Sequence, residues 1–511
     1  MQGFVFSFNL LNIYNTMKNI IVMLITIIPL LSISQKQGNI WYFGNHAGLD
    51  FNSGVPIPIT NGQTSFSTCI NENEGSSVIS DDNGSLLFYS DGQTIWNKNH
   101  QIMPNGNGLL GNPSSTQSSI IVPLPLNNRY FYIFTTDAFT CGSDLGNGFR
   151  YSVIDICSDN QNGDIIPNKK NILLLDTVCE KVTVTRHANG IDYWILTHQF
   201  FSDKFYAFLL TSNGITDTVI SAIGSIHNGS IWGAIGQLKF SFDGQKIAIG
   251  AGNGLDILDI FDFDKSTGII SNSMSLYKPN NNSAGIYGVE FSSDNTKLYV
   301  TGISDLGAEY GFLVQYDLSA GGGNIDSINA SLYTIYINST GQISLKGLQI
   351  GIDKKIYMVS YNNDSMLSVI NNPNLYGLGC NYQYNSISLA NRKGSYTLPS
   401  FIAGYNYSNT TYNCSAGIEE LSNNSQLILY QNEPNPFGDN TVIRYFIPEN
   451  TKSTAFIVFY DIYGKEIKKA ELTTKGFGNV NANTENLASG IYSYSLIVNE
   501  RVVDTKKMIK Q

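Results

Sequence analysis

A thirteen-residue phrase, Gly236-Gln-Leu-Lys-Phe-Ser-Phe-Asp-Gly-Gln-Lys-Ile-Ala248, returns twice in this chain. It recurs as Gly288-Val-Glu-Phe-Ser-Ser-Asp-Asn-Thr-Lys-Leu-Tyr-Val300. One residue shorter, it recurs as Gly347-Leu-Gln-Ile-Gly-Ile-Asp-Lys-Lys-Ile-Tyr-Met358. Each copy reads as a strand, a tight turn at Asp-Gly, Asp-Asn or Asp-Lys, and a second strand with Lys before its first apolar residue. Asp and Gly suit such turns because they bond their own backbone or tolerate positive φ. The starts lie 52 and 59 residues apart, close to the usual blade spacing of a β-propeller, about 40–50 residues. The spacing predicts an all-β chain built as a propeller of about seven blades.

Composition agrees. Of 511 residues, 42% are hydrophobic and only 14% charged, with 48 Gly, 30 Tyr and 27 Phe. Turns from Gly and strands from aromatics fit an all-β core. The net charge of −10 excludes the basic footprint that nucleic acid requires and disfavours an anionic membrane surface. From Gln426 onward ten Lys/Arg face nine Asp/Glu, so the last segment is nearly neutral and reads as a separate module.

Near the start, Lys18 precedes the apolar run Ile20–Leu31, and Ser32 and Ser34 supply small residues. This order predicts a secretory signal peptide over 1–34, cut near Ser34–Gln35. The run is shorter than the ~20 residues a membrane span needs, so no transmembrane segment is expected after cleavage. Residues 1–16 hold no Lys or Arg, which points to Met17 as the true start.

The propeller is expected over 35–414. The strand 39–44 is expected to complete the last blade, as a terminal strand can remove an open edge. The stretch 74–97 supplies a blade, 114–136 a second, and Phe149–Asp155 begins a third. Lys181–Leu210 gives the fourth, and the three phrases give the rest, with Ile257–Phe263, Phe312–Leu318 and Met366–Ile370 as outer strands. Trp41–Phe51, Leu87–Gly92, Trp96-Asn97, Ser114–Gln117 and Glu180–Val182 resemble a propeller family of secreted and surface proteins of Bacteroidetes-type bacteria. The phrase itself resembles the YVTN, lactonase-like and quinoprotein propellers. These are fold-level likenesses and imply no common activity.

After a polar linker, 415–425, strands at regular spacing predict a small Ig-like β-sandwich over 426–511. Its motifs are Pro434, Asn435, Pro436, Phe437, the Tyr460–Lys465 turn with Gly464, Gly490 and Tyr492 in Leu487–Tyr494, and the ending with Lys506, Lys507 and Met508. In order and spacing these resemble the type A C-terminal sorting domain of the type IX secretion system. The resemblance implies passage through the periplasm, reading of the tail by the outer-membrane translocon, and display or release outside. In that family the tail is commonly removed, and the cargo attached to surface lipopolysaccharide.

Chemistry is sparse. The histidines are His46, His100, His187, His198 and His227, with no HExxH, GxSxG or Walker run. His187 and His198 flank an expected hairpin, where they approach each other or serve as ordinary strand-end groups. Asp262–Gly268 alternates oxygen ligands but lacks the Gly and Glu of a calcium loop. No cofactor or metal is therefore expected, a structural calcium being the alternative. Glu74, Asp81, Asp82 and Asp91 offer carboxylates for acid–base work or for turns. Trp41, Trp96, Trp194 and Trp232 offer sugar-stacking rings or core. Six cysteines, Cys69, Cys141, Cys157, Cys179, Cys380 and Cys414, allow 15 pairings in an oxidising compartment. Cys380 with Cys414 is expected, with one pair among Cys141, Cys157 and Cys179; buried thiols are the alternative. The reading is an exported module that binds an extracellular glycan or protein, more a binder than an enzyme. A lactonase-like hydrolase or glycan lyase on the same scaffold is the alternative.

Overall fold

The computed structural model describes residues 35–65, 73–138, 146–228, 233–252, 257–277, 284–304, 310–338, 345–360, 364–407, 414, 427–432, 434–438, 440–447, 454–462, 464–473, 476–483, 487–499 and 501–511. The expected signal peptide and linker lie outside them, as do Cys69, Cys141 and Trp232. The chain falls into two compact units, Met1–Cys414 and Ser415–Gln511. No helix among the described residues is long and apolar enough to cross a membrane.

The first unit holds seven antiparallel sheets among the described residues, spanning 40–59, 77–107, 119–175, 182–227, 238–275, 284–337 and 345–388. The first strands of the sheets are Ile40–Phe43, Ser77–Ser80, Ser119–Pro123, Val182–Arg186, Leu238–Phe240, Ala284–Phe291 and Leu345–Ile350. Each packs against the first strand of the next sheet. The circle closes where Trp41 of the first sheet meets Tyr357 of the seventh, ring centroids 5.6 Å apart. This is a propeller. Inner strands such as Tyr130–Thr136 and Tyr193–His198 are buried along their whole length. A flanking sheet covers each of their faces, so hydrophobic alternation is lost.

The three phrases form the first two strands of the last three sheets. Their turns place Gly244, Asn295 and Lys354 at φ of 73°, 63° and 64°. Asp243 accepts from the Ser241 hydroxyl and the Gln245 amide at 2.6 and 3.0 Å. Asp294 does the same with Ser292 and Thr296 at 2.6 and 3.1 Å. The phrase lysines reach across to the third strand, Lys246 to Asp262 at 2.7 Å and Lys297 to Asp317 at 3.2 Å.

The sheets are divided differently from the sequence expectation at three points. Ile40–Phe43 does not complete the last sheet; it pairs with Ala47–Asp50 and heads a sheet of its own. Phe149–Asp155 does not begin a blade; it pairs along its whole length with Tyr130–Thr136. Leu258–Phe263, Tyr310–Asp317 and Met366–Ile370 are third strands, each covered by a fourth: Ile270–Ser275, Tyr333–Ile337 and Tyr382–Ser388. The fourth strands are partly exposed and mixed in polarity, so periodicity alone did not show them.

The second unit is a β-sandwich. One sheet is Ile428–Leu429, Asn440–Ile447 and Gly476–Asn483. The other is Glu466–Leu472, Ala455–Tyr460, Gly490–Val498 and Arg501–Lys510. Phe437, Ile443, Tyr445, Ile457, Phe459, Tyr494, Leu496 and Met508 form its core.

Candidate functional site

A propeller's blades surround a central axis, where ligands commonly bind. The segment 395–407 follows the last sheet and runs along it. Phe401 meets Trp41 of the first sheet, centroids 5.7 Å apart. The Ser400 amide donates to Ser76 O at 2.8 Å. The Thr397 hydroxyl donates to Glu74 O at 2.5 Å and lies 3.2 Å from Thr116 O. Tyr396 accepts from the Gly347 amide at 2.9 Å and packs near Tyr287 of the sixth sheet, centroids 6.1 Å apart. Tyr407 O accepts from Arg186 of the fourth sheet at 3.1 Å, and the Tyr405 hydroxyl donates to Ile350 O of the seventh at 2.6 Å. Only a segment on the axis can touch so many sheets. The protein fills its own centre.

Two buried polar clusters surround this segment. In one, Glu74 Oε2 accepts from the Tyr287 hydroxyl at 2.6 Å, and Glu180 Oε2 from the Thr116 amide at 3.0 Å. The Lys346 ammonium lies over the rings of Tyr396 and Tyr287, 4.5 and 4.8 Å from their centroids. Burial, then the Glu74 carboxylate, holds the Tyr287 phenol well above its usual range. In the other, Lys239 pairs with Glu290 at 3.2 Å and donates to Gln349 Oε1 at 2.5 Å. Gln117 ties Val182 O and Leu238 O, and Gln237 reaches Leu348 O, at 3.0–3.1 Å. Buried charges persist only when paired and hydrogen-bonded. The Ser114–Gln117 and Glu180–Val182 motifs therefore stitch neighbouring sheets together.

The carboxylates proposed from sequence are not brought together. Glu74 is on the axis, while Asp81 caps the Asn83 and Ser85 amides at 2.9 Å. Asp82 accepts from Gln37 at 2.6 Å. Asp91 is buried in the turn before Thr94–Asn97 and accepts from the Gln93 and Thr94 amides at 2.9 and 2.8 Å. Burial pushes its carboxyl up to about 6 despite those amides. Its stabilising, protonated state is fully present below the unfolded value near 4 and is lost as pH rises through about 6. The penalty above that window is about 3 kcal/mol. Asp91→Asn keeps the acceptor and removes the charge. The variant should match the parent in melting temperature at pH 4 and exceed it progressively to pH 7; a pH-independent gap would disprove this.

His187 and His198 do not approach. His187 begins the hairpin turn, where its Nε2 lies 3.1 Å from Ser266 O. His198 ends the strand Tyr193–His198, and six residues of strand separate such ends by roughly 17 Å or more. His198 instead meets Cys179 and His227, a grouping the sequence reading missed. Burial drives Cys179 up to about 12 and His227 down to about 3, and lowers His198 far below its usual range, so all three stand neutral. His46 Nδ1 lies 2.7 Å from Gly62 O, and His100 meets Asn61 and Tyr89 at 2.8 and 3.0 Å. Trp41, Trp96 and Trp194 are core. Asp262 accepts from Lys246 and Asn272, and Asp264 from Ser266 and Thr267, as turn groups do.

The expected Cys380–Cys414 bond is corrected: Cys414 is bonded to Cys157, and Cys179 and Cys380 are buried free thiols. Cys380 is fixed in the 3₁₀ turn Gly377–Cys380 between the last two strands of the seventh sheet.

The tail motif is a clamp on the final strand. Phe437 is buried, its amide donates to Ile509 O at 3.0 Å, and its carbonyl accepts from the Gln511 amide at 2.8 Å. Asn435 Oδ1 accepts from the Ile509 amide at 2.9 Å, and Gln431 donates to Lys507 O at 2.7 Å. Met508 is fully buried, whereas Lys507 is exposed and Lys506 half-buried. Gly464 holds a turn at φ 78°, and the Tyr492 hydroxyl donates to Ala488 O at 2.8 Å. Residues 434–511 match the secretion system C-terminal sorting domain. This sorting domain is the type IX tail expected from the motifs. It marks the chain for export to the cell surface or extracellular space and implies interaction with the type IX machinery.

No curated protein matches the chain. Similar solved structures include a putative 6-phosphogluconolactonase from Bacteroides fragilis (12% identity, 72% of this chain and 98% of that one, TM-score 0.40). A periplasmic gluconolactonase from Pseudomonas aeruginosa is 11% identical, with 76% and 96% covered and a TM-score of 0.35. TolB from Acinetobacter baumannii is 9% identical, with 61% and 63% covered and a TM-score of 0.32. At such scores the ring rests on its strand packing, not on these likenesses.

Proposed function

We propose that the exported ring is a binding module that takes an extracellular glycan at the outer edge of its sixth and seventh sheets. The observation that carries this is an uncharged tyrosine strip. Tyr336 stacks on Tyr384, centroids 5.3 Å and planes 14° apart, and lies 5.6 Å from Tyr382. Tyr333 and Tyr376 meet edge to face at 5.6 Å. Leu375, Tyr376 and Leu378 beside them are 53%, 45% and 81% exposed, an apolar surface of the kind that marks interaction sites. The strands Tyr333–Ile337 and Tyr382–Ser388 contain no charged residue. Tyrosine offers an apolar face to sugar C–H groups and a hydroxyl to sugar oxygens. The buried tryptophans cannot do this. The axial segment and its paired charges also favour binding over catalysis, because they leave the usual catalytic position occupied.

The test is a glycan array with the purified chain. Binding should fall at least about tenfold in the Tyr336→Ala, Tyr376→Ala double variant, the loss of one or two stacking contacts. Capture of a protein ligand without any glycan, or turnover of a lactone, would overturn the reading.

A further inference from the structure

Cys179 stands three residues before the axial strand Val182–Arg186, His198 ends the second strand of that sheet, and His227 ends the fourth. The antiparallel order brings all three to one end of the sheet. Their ligand atoms all lie within 4.8 Å of one another, and all three side chains are buried. Backbone bonds hold the group: the Cys179 amide donates to His198 O at 2.8 Å, and the Phe201 amide to His227 O at 2.7 Å.

We propose that Cys179, His198 and His227 bind one first-row cation of the zinc or copper class. One sulfur and two imidazoles form the donor set these borderline-soft ions prefer. A cation with such ligands holds sulfur and nitrogen roughly 3.5–3.8 Å apart, given bond lengths of about 2.3 and 2.0 Å. Cys179 Sγ lies 3.7 Å from His198 Nδ1. A second observation points the same way. His227 is oriented as a ligand would be: its Nδ1 lies 3.1 Å from Gly233 O and donates to it, which fixes the ring and frees Nε2 for the metal. The nearby Lys181 ammonium is held by Ala234 O and Ile235 O, to which it donates at 2.7 Å. The site ties the first, second and fourth strands of one sheet beside the crossing to the next. Its burial makes it a structural centre.

The test uses the full chain, stripped with chelator and reloaded separately with Zn(II), Cu(I) and Co(II). Elemental analysis should give about one zinc or one copper per chain; which ion is retained under competition decides between them. Cobalt should give a thiolate charge-transfer band. Cys179→Ser should abolish that band and weaken binding about 100-fold or more, since even outer-shell changes cost 10–100-fold. Cys380→Ser, the other buried thiol, should change neither. His227→Gln is the second variant, should Cys179→Ser fail to fold. Absence of stoichiometric metal, or metal binding indifferent to both ligand variants, would overturn the proposal.

Discussion

Removing residues 434–511 should leave the ring folded and abolish its appearance outside the cell, with the chain retained in the periplasm. The two units are separately compact, and each has its own core. Loss of the sorting domain therefore removes the address without opening the ring. A single substitution should act almost as strongly. Phe437 is 2% exposed and pins the last strand through both its backbone groups. Phe437→Ala should cost about 3–5 kcal/mol, a large share of what a module of this size possesses. Its loss frees the strand carrying Lys506, Lys507 and Met508. Cell fractionation with surface proteolysis reads the result. Normal surface levels of the truncated chain would show that the tail is not the export signal, and normal export of Phe437→Ala would show that the folded clamp is not what is read.

What was legible in the sequence was local. The Asp-Gly phrases announced their hairpins because turn chemistry resides in two or three adjacent residues. The Pro434–Phe437 motif was legible for a similar reason, although the strand it clamps comes 70 residues later. Pairings across long connections were not legible. Phe149–Asp155 joins Tyr130–Thr136 across twelve residues, 137–148, whose several Gly and an Asn offer more than one place for a turn and so do not fix the pairing. Cys179, His198 and His227 are 19 and 29 residues apart, spacings that match no ligand motif. Only the order of strands within one sheet brings them together. The axial segment was hidden because 395–407 has neither strand alternation nor helical period. Its role emerges from contacts with sheets distant in sequence.

The Cys157–Cys414 bond shows what that segment requires. Cys157 follows the third strand of the third sheet, and Cys414 lies seven residues beyond Tyr407, the end of the axial segment. The bond closes a loop of 257 residues. On chain-entropy grounds a loop of this length is worth about 5 kcal/mol, at the upper end of what disulfides supply. Cys414→Ser should therefore lower the melting temperature on the order of 10 °C. The Cys157→Ser, Cys414→Ser double variant should do no worse than either single variant, because both remove one cross-link. Reductant should bring the parent down to the variants, and Cys380→Ser should leave the reductant response intact. Peptide mapping without reduction should recover Cys157 joined to Cys414. Recovery of Cys380 joined to Cys414, or equal melting of Cys414→Ser and the parent under oxidising conditions, would show that the bond does not anchor the axial segment's exit.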